Sequence, residues 1–231
     1  ENRGIVLKCD DLDRQDAEIY GMQPFRYGNG FLALVEIYYG ATERLESQLA
    51  FSREGLHWER VGNRTPTIPM GAEGTWDSHW VVSTNNPPFI DGDRLLIFYT
   101  GASTKHGSKE KGRRSLGLAS LRKDGWVSLE AGRTEGIVVT EPLPLEEPMQ
   151  LEINVDCFNG HISTEVLSMY EAQVLGGYKA EASRVERIDT TSHPVRWGET
   201  FVVDPVESGR CYLRFAMTQA SFFSYRWRPA G

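Results

Sequence analysis

Two short stretches of this 231-residue chain set carboxylates beside aromatic rings. Asp16 and Glu18 lead into Tyr20, and Asp77 lies in Gly74-Thr75-Trp76-Asp77-Ser78-His79, just ahead of Trp80. Paired carboxyl groups are the equipment of glycosidic cleavage. A protonated carboxyl donates to the leaving oxygen while its partner attacks the sugar or activates water, at separations of about 5–5.5 Å for retention and about 6.5–9.5 Å for inversion. Flat aromatic faces stack on sugar rings, and an imidazole beside a carboxylate tunes or orients it. Asp77, Glu18 and Asp16 are therefore the candidate catalytic residues. Trp76, His79, Trp80 and Tyr20 are the candidate substrate-binding residues. Each carboxylate also has a plainer reading. Asp77 suits a turn or cap at a strand entrance, and Asp10, Asp11 and Asp13 make the region around Asp16 and Glu18 an acidic loop. That acidic run is a calcium candidate by composition only, because its spacing departs from an EF-hand loop.

The other chemistry-bearing residues are scattered. His57, His106, His161 and His193 show no metal-ligand spacing and read as surface or turn residues, so neither a metal nor a cofactor is expected. Cys9, Cys157 and Cys211 form no Cys-x-x-Cys pair. They read as buried free thiols, with a Cys157–Cys211 bridge as the rival. No nucleophile elbow of the Gly-x-Ser-x-Gly type and no phosphate loop is present. A net charge of −7 and a pI near 5.3 argue against a nucleic-acid partner. No apolar run approaches the roughly 20 residues of a membrane span, and no signal peptide is visible. A chain opening on Glu1 is expected to be a processed or truncated product.

An internal repeat has to position these groups. Residues 25–40 recur as 89–101, and residues 49–58 recur as 118–126. Each copy has a Gly-containing turn, an apolar strand, a further strand, and an Asp/Glu-Gly turn closed by a Trp. A repeated four-strand unit of roughly 60–70 residues points to propeller blades, though the usual blade is about 40–50. The first copy predicts strands at 18–25, 31–38, 46–52 and 57–61, after a lone strand at 5–9. The second predicts 80–83 continuing toward 90, then 94–100, 115–121 and 126–129. Residues 31–39 are rich in aromatic and β-branched side chains and too short for a helix, which predicts a strand buried on both faces. Residues 27–30 and 91–93 are hairpin turns, and 105–114 is a charged tip expected to be solvated. Beyond residue 130, strands are expected at 137–140, 149–157, 162–167, 195–197, 211–217 and 222–227; residues 151–156 and 212–217 alternate apolar and polar side chains, and Trp197, Phe222, Phe223 and Trp227 read as core. Residues 168–174 are the one helical candidate. The expected fold is all-β: about two β-propeller blades over 1–132, an incomplete ring, then an antiparallel β-sandwich over 133–231. Propellers close with about four to eight blades, so missing blades or self-association are the expected protein partners.

Several stretches carry a family resemblance. They are Ser52 to Trp58, Gly74 to Ser78, Leu96 to Gly101, the run 115–132 continuing into 136–143, and the closing 213–227. On these the chain resembles the C-terminal part of the five-bladed β-propeller glycoside hydrolases, of the invertase, levanase and arabinanase kind, with their C-terminal β-sandwich. The Ser-x-(Asp/Glu)-Gly-x-x-Trp pattern also resembles the Asp-box of sialidases, which implies turn-closing roles for Glu54 and Asp124. The resemblance implies an oligo- or polysaccharide partner at a propeller centre and a secreted or periplasmic bacterial setting. The Asn-Asp-Pro-Asn, Arg-Asp-Pro and Glu-Cys landmarks of invertase-like enzymes are absent, so these residues do not assemble a complete active site. Three readings stand: a hydrolase contributing Asp77 and Glu18, a non-catalytic carbohydrate binder using Trp76, Trp80 and Tyr20, or a sandwich that only stabilises the propeller. Convergence of Asp77 with Glu18 or Asp16 would favour the first.

Overall fold

A nearly continuous apolar strand has no side to turn to water, so it belongs in the middle of a sheet. In the computed structural model, which describes residues 4–84, 86–110, 114–170 and 172–231, that is where it lies. Gly30–Tyr39 (β2) pairs antiparallel with Ala17–Tyr27 (β1) on one side and with Arg44–Ser52 (β3) on the other, and Glu59–Arg60 (β4) adds to β3. Its side chains split by parity, as period-two geometry requires. Ala33, Val35 and Ile37 pack with Ala50 and Trp58, while Leu34 packs with Leu49, Ile68, Val81 and Ile97.

The turn after β3 shows what its acidic residue does. Gly55 has φ +87°, and its N–H donates to Ser52 Oγ at 2.8 Å. The His57 N–H donates to Glu54 Oε1 at 2.7 Å, and Trp58 Nε1 returns to the Gly55 carbonyl at 2.9 Å. Asp124 adopts φ +56° and accepts the Tyr27 hydroxyl at 2.6 Å. Both carboxylates hold turns.

The second repeat contains Trp80–Ser83 (β5), Phe89–Asp91 (β6), Arg94–Ala102 (β7) and Arg114–Arg122 (β8). β5 and β6 pair with the two halves of β7, with a break containing Pro87 and Pro88, which lack N–H donors. β8 pairs along the other side of β7. A parallel bridge from Leu45 to Trp80 joins the repeats into one eight-stranded sheet.

Two five-stranded sheets make the sandwich. One orders Gly136–Val139 (β10), Arg210–Thr218 (β17), His161–Ser168 (β13) and Val185–Glu186 (β14), with Leu143–Pro144 (β11) on β17. The other orders Asp189–Pro194 (β15), Met149–Asp156 (β12), Ala220–Pro229 (β18) and Leu129–Ala131 (β9), with Val202–Val203 (β16) on β12. Leu151, Ile153, Val155, Ile162, Val166, Leu213, Phe215 and Phe222 share its core with Trp197. Cys157 and Cys211 are buried free thiols, and burial pushes the Cys211 thiol up to about 11. The fold is all-β, no sheet closes on itself, and the chain divides into units Glu1–Trp126 and Val127–Gly231.

Local expectations differ from the structure in five places. Residues 126–128 form no strand. Trp126 instead packs on Phe25 and Tyr27 at centroid distances of 5.7 and 5.8 Å, and the strand that follows, β9, pairs with β18 in the second unit. Residues 5–9 are irregular, although Leu7 covers the Val35–Ile37 cluster. The described residues of 168–174 are not helical, because the chain turns back to bridge Leu167 with Val174. The strand expected at 195–197 lies instead at β15, just before it. Phe223 is the extra residue of a β18 bulge and stands outside the core cluster.

The acidic run is not a cation loop. Asp13 pairs with Arg60, and their side chains are only 6% and 1% exposed. Arg64 joins at 2.6 Å from Asp10 and 3.0 Å from Asp13. Guanidinium groups already occupy the oxygens that calcium would need. Removing one partner of such a buried pair leaves an uncompensated charge. Arg60→Ala should therefore cost about 3–5 kcal/mol, read as a lower urea midpoint at unchanged slope. A loss below about 1 kcal/mol would contradict the assignment. Hydrogen bonds from Arg64 and the Leu12 amide hold the Asp10 carboxyl at about 2, against an ordinary 3.8. Its contribution is complete above pH 3.8 and is lost as pH falls toward 2. Acid titration of Tm should be flatter in that window for Asp10→Asn than for the wild type.

Candidate functional site

Asp77 is 9% exposed and engaged by its neighbours. Its Oδ2 accepts the Tyr99 hydroxyl at 3.0 Å, and its Oδ1 lies 3.0 Å from the Thr75 hydroxyl. Partial burial and the Asp77 carboxylate push Tyr99 up to about 12, so its phenol stays a donor at neutral pH. Trp76 stacks on Tyr99 at 5.4 Å and 26°. Gly101 and Gly117 make room for that ring: a Cβ on either would come within 2.5 and 2.8 Å of it respectively. Asp77, Trp76, Tyr99 and the two glycines thus form one packed unit, as expected of a turn lock.

Asp16 is also engaged. Arg14 grips it with two nitrogens at 3.0 Å each, and the Ala41 N–H donates to Oδ2 at 3.0 Å. Partial burial works to raise its pKa, but the Ala41 amide and Arg14 together hold it below the usual carboxylate range. It clamps the turn between β2 and β3.

Glu18 and the aromatic candidates gather elsewhere. Glu18 is exposed on β1, opposite Tyr38 in register. The pairing skips a residue between Ile19 and Gly21, so Tyr20 is bulged out and 53% exposed. Its hydroxyl lies 3.0 Å from His106 Nε2. The His106 ring stands 5.0 Å from Tyr20, 5.5 Å from Tyr38 and 5.8 Å from Trp80, and the His106 backbone N–H donates to the Glu43 carbonyl at 3.1 Å. Tyr20 and Tyr38 are themselves 6.0 Å apart. His79 pairs only with the adjacent Ser78 hydroxyl, at 3.2 Å, among described side chains, and so does not orient Asp77.

Trp80 and the Trp76–Asp77 unit belong to different sides of the second repeat. Trp80 shares a cross-strand row with Ala102 and Arg114, whereas Trp76 lies on Gly101 of the alternate row. The structure thus brings together Tyr20 and Trp80, with Glu18 at the same strand end. The Trp76–Asp77 unit lies on the alternate row, and Asp16, just ahead of Glu18 in the chain, is taken up by Arg14 and the Ala41 amide.

Four contributors escaped the sequence reading: Tyr38, His106, Arg114 and Glu36. His106 and Arg114 sit in the segment expected to be a solvated tip, and Tyr38 and Glu36 in a strand read as core. The one usable signal was Glu36, a lone charge in that apolar strand. It is half-buried, and burial pushes its carboxyl up. Gln23 Nε2 lies 3.4 Å from Glu36 Oε1, and Gln23 is fixed by Ser83 through its carbonyl at 2.8 Å and its hydroxyl at 2.9 Å. Beside Gln23 opens a cleft of about 370 Å³ lined by Phe25, Arg26, Leu34, Asn86 and Pro87. Among the described residues, no cluster of three or more potential metal ligands occurs, and no helix is long and apolar enough to cross a membrane.

No protein-family description and no curated protein matches the sequence. Among solved structures, the chain is similar to one of a complex of BT0996 and RGII, with 22% identity over 52% of this chain and 36% of that one, at a TM-score of 0.41. It is similar in the same way to a structure named "Glycoside hydrolase", with 22% identity, the same coverages and a TM-score of 0.42. A third is a mutant of the Bombyx mori GH32 beta-fructofuranosidase BmSUC1 in complex with sucrose, with 9% identity over 90% of this chain and 65% of that one, at a TM-score of 0.28. The chain spans 36% of the length of the first two.

Proposed function

We propose that this chain is part of a carbohydrate-active protein and binds a saccharide across Tyr20 and Tyr38, over a base formed by His106 and Trp80. One observation carries the reading: Tyr20 is more than half exposed and yet held by His106. An aromatic ring kept in the open and fixed in orientation contributes little to a core. It presents a preorganised stacking face, at low entropic cost to a ligand. The internal bonding of Asp77 and Asp16 favours binding over cleavage by the carboxylates expected to perform it. A secreted or periplasmic setting goes with this reading.

A second reading rests on Glu36. Its half-buried carboxyl, raised by burial, suits a general acid, and Glu18, on the neighbouring strand opposite Tyr38, is the second carboxyl. Glu18 pairs with Tyr38 and Gly21 with Glu36, so the two acids flank a bulged position at the Tyr20 surface.

Titration calorimetry with arabinan and levan oligosaccharides separates the readings. Tyr20→Ala should weaken binding about tenfold, the loss of one stacked ring, while Asp77→Asn should lower stability and leave affinity unchanged. Unchanged affinity in Tyr20→Ala would remove the proposed surface. If the chain also hydrolyses any of these glycans, Glu36→Gln should lower kcat about 100-fold or more with little change in KM. A change below about threefold would eliminate Glu36 as the acid.

A further inference from the structure

Trp80, Ala102 and Arg114 form a row across β5, β7 and β8 at one end of the second repeat. The Arg114 guanidinium lies over the Trp80 ring, 5.1 Å from its centroid. A guanidinium over an aromatic ring keeps N–H donors of its planar fork for a carboxylate. Neighbouring cations are answered: Lys105 has Glu43 at 4.0 Å, and Arg44 has Glu73 at 3.9 Å. Among the described residues, no carboxylate reaches ion-pair distance of exposed Arg114. Beneath it, Trp80 is 8% exposed, and its buried Nε1 has no hydrogen-bond partner among the described residues. A donor left without an acceptor is costly in a folded protein, and here it belongs to the ring on which the Arg114 guanidinium rests.

We propose that Arg114 is the specificity-determining residue of the saccharide surface and selects a sugar bearing a carboxylate, a uronate or a sialate, through a two-pronged contact. The proposal rests on the reading that Tyr20, Tyr38, His106 and Trp80 bind a saccharide. Those aromatics carry the sugar ring, and Arg114 reads its charge. The strip is polar end to end, with Arg114 on the second repeat and Glu18 on the first. A bound acidic sugar therefore points its carboxylate toward Arg114 and its hydroxyls toward Glu18. The net charge of −7 works against long polyanions, so the preference has to come from this local contact.

Calorimetry of the full chain with trigalacturonate, 3′-sialyllactose and neutral arabinotriose tests this. One acidic probe should bind about tenfold tighter than the neutral one, and which of the two does so distinguishes uronate from sialate. Arg114→Gln should erase that margin. Arg114→Lys should restore only part of it, because an ammonium cannot fork. The margin should also shrink at high salt. Equal binding of acidic and neutral probes by the wild type overturns the proposal, as does an acidic preference that survives Arg114→Gln. Tyr20→Ala isolates the underlying reading: it should weaken all bound probes together, and if it weakens none the saccharide surface itself falls. Failure of every probe to bind at millimolar concentration counts against both. Near-UV circular dichroism verifies that each variant keeps its aromatic packing.

Discussion

The strand from Gly30 to Tyr39 is buried from both sides, and that constraint organises the first unit. Ala33, Val35 and Ile37 need one apolar cover, and Leu34 needs another. The first is supplied by Trp58, carried round by the turn at Glu54 and Gly55, together with Leu7 from the N-terminal segment. The second is supplied by Val81 and Ile97 from the other repeat. A strand exposed on one face would have left the two repeats independent. Instead, Leu34 and Leu49 draw β5 and β7 onto the first meander, and the Gln23–Ser83 hydrogen bonds set where they meet. The positions of Tyr38 and Tyr20 at the end of that meander, and of Trp80 opposite them, follow from this contact.

The same logic sorts the acidic residues. Chemistry needs a carboxylate with a free oxygen in a reachable place, whereas folding needs oxygens to tie off donors. Glu54, Asp124, Asp16, Asp13 and Asp77 each have named donors on their oxygens. Glu18 stands outside that group, and Glu36 stands between. Its carboxyl is partly withdrawn from water and, among the described residues, meets only the weak contact from Gln23. A residue's type therefore says little about its role until the neighbouring donors are counted.

Glycine placement shows how far the second repeat is specialised. Tyr38-Tyr39-Gly40 in the first copy corresponds to Tyr99-Thr100-Gly101 in the second, yet the two ends have different work. Gly101 and Gly117 admit the Trp76 ring against Tyr99, a packing unit with no counterpart around Tyr38. Tyr38 instead faces His106 and Tyr20. One tyrosine became part of a lock, and its repeat partner became part of an open aromatic surface.

The residues alone determined the elements: strands from period-two alternation and unbroken apolar runs, turns from Asp/Glu-Gly pairs, two repeats followed by a sandwich. These are local properties, set by backbone preferences and side-chain parity. The double burial of residues 31–39 and the turn roles of Glu54 and Asp124 were legible for that reason. Which polar residues remained available was decided only in three dimensions. Asp77 met Tyr99 from 22 positions away, Tyr20 met His106 from 86, and the acidic run met Arg60 and Arg64 across the meander. No sequence period encodes such pairings. They arise when packing of the apolar faces brings distant strand ends together, and hydrogen-bond geometry then fixes which side chains are tied off and which stay open.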